Sequence, residues 1–235
     1  MRNRVITFGG EVVPAKIAST PKIYRAKRKM TVTKIAGSNR EVVEMEDAWE
    51  CYDQPYTMYL GDGTPDCVQP MIDEVARVLY KTGWQVLLDD YEPDYYRLAY
   101  YQGGFDVNSK YTRLGKFDVK FRCRPERFLI TGNTAVQVET GGKIFNPTAY
   151  IALPLIHLTG SGTGTLTVNG TTMSFTGITD YLNLDCETQN CYRVPTENKN
   201  NLMTGEFPVL SQGDNLVTFT GGITTVTITP KWWVI

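Results

Sequence analysis

The sequence predicts a mostly β protein of two domains with one packed helix, and three observations support this prediction. Apolar residues alternate with threonine on both sides of two turn dipeptides, Asn169-Gly170 and Gly221-Gly222, as expected of half-buried hairpin strands. The chain contains 21 glycines and 14 tyrosines, a composition that favours strands and turns. Helical spacing of apolar residues occurs convincingly in one stretch only, Val68–Leu79. We therefore expect sheets in both halves of the chain and a single helix.

The N-terminal part is predicted to begin with short strands at residues 2–8 and 11–17 and to continue into a long hairpin at about residues 15–50. A turn at Gly37-Ser38-Asn39 separates a basic arm from an acidic return. The basic residues are Lys16, Lys22, Arg25, Lys27, Arg28, Lys29, Lys34 and Arg40, and the acidic ones are Glu41, Glu44, Glu46, Asp47, Glu50 and Asp53. Two interpretations fit this pattern. The two strands are solvated and screen each other, or the hairpin lies on an oppositely charged face of a neighbouring subunit.

The predicted helix covers about residues 68–82 and ends at Gly83. Its apolar face consists of Val68, Met71, Ile72, Val75, Ala76 and Leu79. This stripe is typical of core packing. Alternating apolar residues from Phe117 to Cys123 then predict a half-buried strand. Small and turn-forming residues accumulate near residues 131–133, so we place the domain boundary there, giving domains 1–132 and 133–235.

The C-terminal domain is predicted to be a β-sandwich. A two-residue loop at Asn169-Gly170 sets Val168 opposite Thr171 and Leu166 opposite Met173, which places apolar residues on one face and hydroxyls on the other. An equivalent loop at Gly221-Gly222 would set Val217 opposite Val226. These two hairpins, together with predicted strands at residues 152–158 and 181–186, are enough for two packed sheets.

Composition and motifs argue against catalysis, and we predict no enzyme activity, cofactor or metal site. The net charge of −1 and pI near 5.9 are unlike those of proteins dedicated to nucleic acids or membrane surfaces. The single histidine, His157, lies in an apolar strand, where a structural role is expected, and the five cysteines form no CxxC pair. The acidic stretch Asp89–Asp94 lacks the ligand spacing of a calcium loop, so a solvated turn is predicted. No signal sequence or membrane-length apolar run is found, so a soluble protein is expected.

One long stretch, KIFNPTAYIALPLIHLTGSGTGTLTVNGTTMSF at residues 143–175, resembles the distal tail proteins of long-tailed phages. The end of the chain agrees, with GEFPVLSQGDN at residues 205–215 and ITTVTITPKWW at residues 223–233. The resemblance rests on the order of strands and turns, since no catalytic motif takes part in it.

The resemblance implies an N-terminal β-sandwich with a helix and a long hairpin arm, which builds a ring of typically six copies, and a galectin-like C-terminal β-sandwich. It implies a virion protein of the tail tip, made in the cytoplasm of the bacterial host. The implied partners are other copies of the chain, the major tail tube protein, a tail-associated lysin or tail fibre hub, and receptor-binding proteins, with DNA passing through the ring. The oligomer interface is then expected to include Lys22, Arg25, Lys27, Arg28, Lys29, Glu44, Glu46 and Asp47.

Two alternatives remain at the level of sequence. The C-terminal domain could be a carbohydrate-binding β-sandwich that contacts the host cell wall, for which exposed aromatic residues around one groove would be the sign. No constellation resembling the sugar site of a true galectin is present in the sequence. A glycosidase or peptidase is disfavoured by the lack of a histidine-based triad beyond His157 and of any recognisable motif.

Overall fold

The computed structural model describes residues 4–61, 64, 68–111 and 114–235. The chain divides into two compact units, one running to Arg127 and including Ile235, the other covering Phe128–Val234. In the first unit the elements are β1 Ile6–Phe8, β2 Glu11–Val12, β3 Lys16–Ile17, β4 Arg28–Lys34, β5 Glu41–Trp49, β6 Tyr52–Leu60, α1 Val68–Leu79, β7 Gln85–Asp89, β8 Tyr95–Tyr101, β9 Asn108–Tyr111 and β10 Leu114–Leu129. The division falls between Arg127 and Phe128, near the end of β10, a few residues before the predicted boundary.

The main sheet of the first unit has the strand order β2-β1-β7-β8-β10-β6-β3, with β9 also paired to β10. The predicted alternation in β10 is confirmed, since Phe117, Val119, Phe121 and Cys123 are buried. They face the same core as alternate residues of β6, which pairs with β10 along its whole length. The buried side of this sheet therefore follows from the period-two pattern of the sequence.

The single α-helix among the described residues packs its apolar face on this core. Val75 and Leu79 are fully buried, whereas Met71 and Ile72 are half-buried at its margin. The helix ends at Leu79, earlier than residue 82, and the chain turns away through Gly83, whose φ is +73°. No helix in the described part of the chain is long and apolar enough to cross a membrane.

Three long strands dominate the second unit. Its elements are the 3-10 helices Ile130–Asn133 and Asn200–Leu202 and the strands β11 Val136–Val138, β12 Gly142–Asn146, β13 Leu155–Val168, β14 Thr171–Asp185, β15 Asn190–Tyr192, β16 Met203–Thr204, β17 Gly213–Thr229 and β18 Trp233–Val234. The sheet order is β11-β17-β13-β14-β15, with β12 also on β17 and β16 also on β14.

The hairpin at Asn169-Gly170 has the predicted register. Val168 lies opposite Thr171, Leu166 opposite Met173, and Gly164 opposite Phe175. Asn169 and Gly170 both have positive φ, at 49° and 85°, as a two-residue hairpin of this type requires. Leu166, Met173 and Phe175 are buried, while the threonines of the opposite face are exposed or half-buried.

The predicted second hairpin at Gly221-Gly222 is wrong. β17 runs through this dipeptide without reversing, and Val217 pairs with Val168 while Val226 pairs with Leu158, both on β13. The glycines instead allow β17 and β13 to approach closely at an irregular point in their pairing, since a Cβ on Gly222 would lie 1.7 Å from the backbone oxygen of Ser161. The Gly160–Gly164 stretch is the matching part of β13.

These glycine-rich points divide the long strands into two halves that share one core. Leu166, Phe175 and Val217 from one half and Leu158 and Val226 from the other belong to the same buried cluster. Strands that bend at bulges can contribute to both layers of a sandwich. The second unit is therefore a β-sandwich, although its construction differs from the two-hairpin scheme that the sequence suggests.

Candidate subunit interface

The arm of the first unit is the hairpin formed by β4 and β5. It forms a two-stranded sheet of its own. All residues of β4 and the residues of β5 from Glu41 to Asp47 are exposed. The hairpin is shorter than the predicted 15–50 span because residues 15–17 belong to the body of the unit, where β3 pairs with β6. Among the described residues, no other strand pairs with the outer edges of this hairpin, and both of its faces are exposed to solvent.

One face of the arm is apolar. Met30 lies directly opposite Met45, and Val32 lies directly opposite Val43, so these four side chains share a face. Met30 is 51% exposed and Met45 is 64% exposed, so both residues are largely accessible to solvent. A contiguous apolar patch on a projecting element is typical of a protein–protein contact. We call these four residues the apolar face of the arm.

The charged residues predicted for the interface lie around this hairpin, and most are open to solvent. Lys22, Lys27, Lys29, Glu44 and Glu46 are all exposed. Among the described residues no ion pair is found for these five side chains. Thr31 lies opposite Glu44, so this carboxylate projects from the face opposite the apolar one.

Arg28 and Asp47, unlike the five residues above, form an ion pair with each other within the arm. The Nη2 atom of Arg28 lies 3.2 Å from Oδ1 of Asp47, and its Nε donates to the carbonyl oxygen of Glu46 at 3.0 Å. The guanidinium also lies over the ring of Trp49, 5.9 Å from its centre. An ion pair this exposed contributes little to stability, so its main effect is to align the two strands at the base of the hairpin.

The segment that leads into the arm, residues 22–28, is attached to the body of the unit at several points, and we call it the arm root. Ala26 is buried in the core. The side chain of Gln54 donates to the carbonyl oxygen of Lys22 at 2.8 Å, and Glu50 N donates to the carbonyl oxygen of Lys27 at 2.8 Å. Arg25 reaches Glu92 of the body, with 3.3 Å between Nη2 and Oε1.

Glu92 belongs to a buried charge cluster that the sequence did not reveal. Its carboxylate accepts from Arg97 and, at 2.8 Å, from Arg127. Asp89 accepts from Arg97 at 3.2 Å and from the hydroxyl of Tyr56 at 2.7 Å. Burial, together with the Asp89 carboxylate, raises the pKa of Tyr56 well above its ordinary value, so this hydroxyl stays protonated and donates.

The turn predicted to be solvated is therefore partly internal. Asp89 Oδ1 accepts from the backbone N–H groups of Tyr91 and Glu92, at 2.8 and 2.9 Å, which folds the turn back towards the sheet. A buried arginine requires paired carboxylates, and Asp89 and Glu92 supply them for Arg97. Arg97 lies 5 residues from Glu92 in the chain, whereas Arg127 and Arg25 lie 35 and 67 residues away, so the local acidic pattern did not indicate the whole cluster.

The residue types that could take part in catalysis or metal binding lie in surroundings typical of residues with a structural role. No cluster of three or more potential metal ligands occurs among the described residues. Burial raises the pKa of Cys123 and of Cys186 to about 12, so both thiols stay protonated at neutral pH and are poor nucleophiles. His157 Nδ1 lies 2.9 Å from Asn183 Oδ1, a hydrogen bond between neighbouring strands.

Trp233, an aromatic residue of the second unit, has contacts that point to a local structural role. Its ring stacks on Tyr150, with 4.4 Å between the ring centres. Its Nε1 donates to the carbonyl oxygen of Ile151 at 2.8 Å. Both the ring and the polar atom of this tryptophan thus have partners within the chain, which does not favour carbohydrate binding there.

Taken as a class, the chain is a two-domain β protein with one packed helix, a projecting hairpin arm and a second β-sandwich. Its structure is similar to the crystal structure of the Dit protein (gp 19.1) of phage SPP1, described as a paradigm of the hub adsorption apparatus in phages that infect Gram-positive bacteria. The two chains have a TM-score of 0.74 and 12% sequence identity over 98% of this chain and 99% of the other. The chain has the fold of a distal tail protein, as its sequence predicted.

No family model and no curated protein matches this chain. At 12% identity the similarity to the phage SPP1 protein lies in the order and pairing of elements.

Proposed function

We propose that the chain is a structural protein of a phage tail, which forms a ring at the distal end of the tail tube and serves as a baseplate hub. The observation that carries this proposal is the arm, which exposes an apolar face that no described residue of its own chain covers, on a fold shared with a phage hub protein. A soluble single chain with this feature would be prone to aggregate, so the face requires a partner.

The partner that we propose is the next copy of the same chain, with six copies closing the ring. The arm is attached at one side of a compact unit, so two identical arms need not meet each other. Contact between an arm and a different surface is head-to-tail, and such contacts close into rings when the rotation allows. The apolar face of the arm would supply most of the affinity, and Lys22, Lys27, Lys29, Glu44 and Glu46 at its margins would supply specificity and register.

In the assembled tail the ring would connect the major tail tube protein to a tail-associated lysin or tail fibre hub. Receptor-binding proteins would attach to the second unit, and DNA would pass through the ring channel. The near-neutral charge of the chain suits passage better than tight binding of DNA. The protein would be made in the bacterial cytoplasm and would act at the tip of the virion tail, with no catalytic step of its own.

Measurement of mass in solution tests this proposal directly. A ring of six gives particles of six times the 26.5 kDa of one chain, in light scattering or mass photometry over a range of concentrations. Negative-stain electron microscopy of the same fractions should show closed rings with a central opening. A protein that stays monomeric up to high micromolar concentration, under low and moderate salt, would refute the ring.

A further inference from the structure

The direction of the arm is set at its root, because the hairpin itself contacts solvent on both faces. Ala26 anchors the root in the core, and the carbonyl oxygens of Lys22 and Lys27 are held by Gln54 and Glu50. The remaining attachment is the ion pair of Arg25 with Glu92. This pair is the one side-chain link, among the described charged groups of the root, between the arm and the buried charge cluster.

Arg25 brings a third guanidinium group to a cluster in which Arg97 and Arg127 already contact the carboxylates of Asp89 and Glu92. Arg127 also donates to the backbone oxygen of Ile235 at 3.0 Å. Burial, and next the neighbouring cations Arg25 and Arg97, lower the pKa of Arg127. Arg25 therefore shares a carboxylate that two other arginines already neutralise, and its attraction is offset by their repulsion.

Exposure decides which arginine can leave. The side chain of Arg25 is 43% exposed, whereas those of Arg97 and Arg127 are nearly inaccessible to solvent. Withdrawal of Arg25 exchanges a shared ion pair for water and leaves Glu92 paired with Arg97 and Arg127. Withdrawal of either other arginine would leave a buried carboxylate undercompensated, which is costly.

We propose that Arg25 and Glu92 form a latch, an ion pair that restricts the arm root in the free subunit before the arm docks on its partner. This inference rests on the proposed role of the arm as a contact between subunits. Arg25 is a positioning residue in this scheme: it restricts the root, and the apolar face of the arm makes the contact. The latch lowers the entropic cost of docking without locking the arm in place.

Hydrogen exchange of the free subunit tests the latch without relying on the ring. Exchange is followed by mass spectrometry on peptides covering residues 22–28, at a concentration where mass photometry shows single chains. Replacement of Arg25 by Gln removes the charge and keeps an amide of moderate length. For a part-exposed ion pair we expect about a two- to fivefold faster exchange at the root. Peptides from the β4–β5 hairpin, held by their own ladder, should exchange as before.

Lys27→Gln is the matched control, because Lys27 lies two positions away, is exposed, and has no ion pair among the described residues. A second variant, Glu92→Gln, should speed root exchange as Arg25→Gln does, and the double variant should exchange no faster than the faster single one. If Glu92→Gln fails to fold, Arg25→Gln against Lys27→Gln still decides the question.

Exchange at the root that is unchanged in Arg25→Gln, or equally increased in Lys27→Gln, would overturn the latch. A wild-type protein that never assembles, with faster root exchange in Arg25→Gln alone, would refute the ring and leave the latch standing. A ring combined with unchanged exchange would refute the latch and leave the ring standing. The two proposals therefore fail separately.

Discussion

The paired methionines of the arm offer the sharpest test of the proposed interface. Met30 and Met45 lie opposite each other at the centre of the apolar face, and neither packs on the core of its own chain. Replacement of both by serine removes the apolar surface and leaves the backbone pairing of β4 and β5 in place. We expect the folded subunit to keep its stability and the ring to weaken.

The size of the effect follows from the surface that remains to be buried. Full burial of a methionine side chain contributes about 1.5–3 kcal/mol. Since Met30 is 51% and Met45 is 64% exposed in the free chain, docking can bury roughly half to two-thirds of each, or about 1–2 kcal/mol per residue. The double variant should therefore lose about 2–4 kcal/mol at every contact, a fall of roughly 30- to 1000-fold in the association constant of one pair.

The assay is mass photometry or sedimentation velocity over a dilution series, with thermal unfolding measured on the same samples. Val42→Ser is the matched control, because Val42 is similarly exposed but lies opposite Thr33 on the other face of the hairpin. Rings that dissociate at the same concentration in the wild type and in Met30→Ser/Met45→Ser would refute the reasoning. So would an equal loss in Val42→Ser, because the contact would then not be specific to the apolar face.

Two further predictions concern charge and core packing. Replacement of Lys22, Lys27 and Lys29 by Glu should weaken the ring by about a factor of two to five per residue at low salt, because rim charges contribute modestly. The salt dependence of ring assembly should change as well. An unchanged salt dependence would mean that these charges are merely solvated. Leu79→Ala should cost about 2–5 kcal/mol in the free energy of unfolding because the side chain is fully buried. Ile72→Ala should cost roughly half as much because its side chain is half-buried at the margin of the core, and equal losses in chemical denaturation would contradict the packing described for α1.

The sequence was a reliable guide wherever neighbours along the chain decide the outcome. The Asn169-Gly170 turn needs only its own backbone preferences to set the register of β13 and β14, and every predicted pair was found. The apolar stripe of α1 and the alternation of β10 likewise marked their buried faces. The split of basic and acidic residues indicated a hairpin at about residues 15–50, and the hairpin that forms is the shorter pair of β4 and β5.

The sequence misled where a local pattern is compatible with two structures. Gly221-Gly222 fits a hairpin turn and also fits a close crossing of two strands. The close crossing forms because the backbone of Ser161, 61 positions earlier in the chain, lies against Gly222. The flanking valines alternate in the same way in both cases, so their pattern carries no information about the choice.

Only the tertiary structure decided what the charged residues do. The sequence grouped Arg25 and Arg28 with their basic neighbours as members of one patch, whereas the fold pairs Arg28 with Asp47 and brings Arg25 to Glu92. Charge attraction acts over distance in space and not along the chain, so a carboxylate is neutralised by whichever cation the packing of the core brings within a few ångströms. The sequence by itself determined which strands, turns and helix face would form, since these depend on residues close together in the chain. Which residues of the arm share a face depends on the register of β4 and β5, and the cluster at the arm root joins residues up to 67 positions apart; both became visible only in the fold.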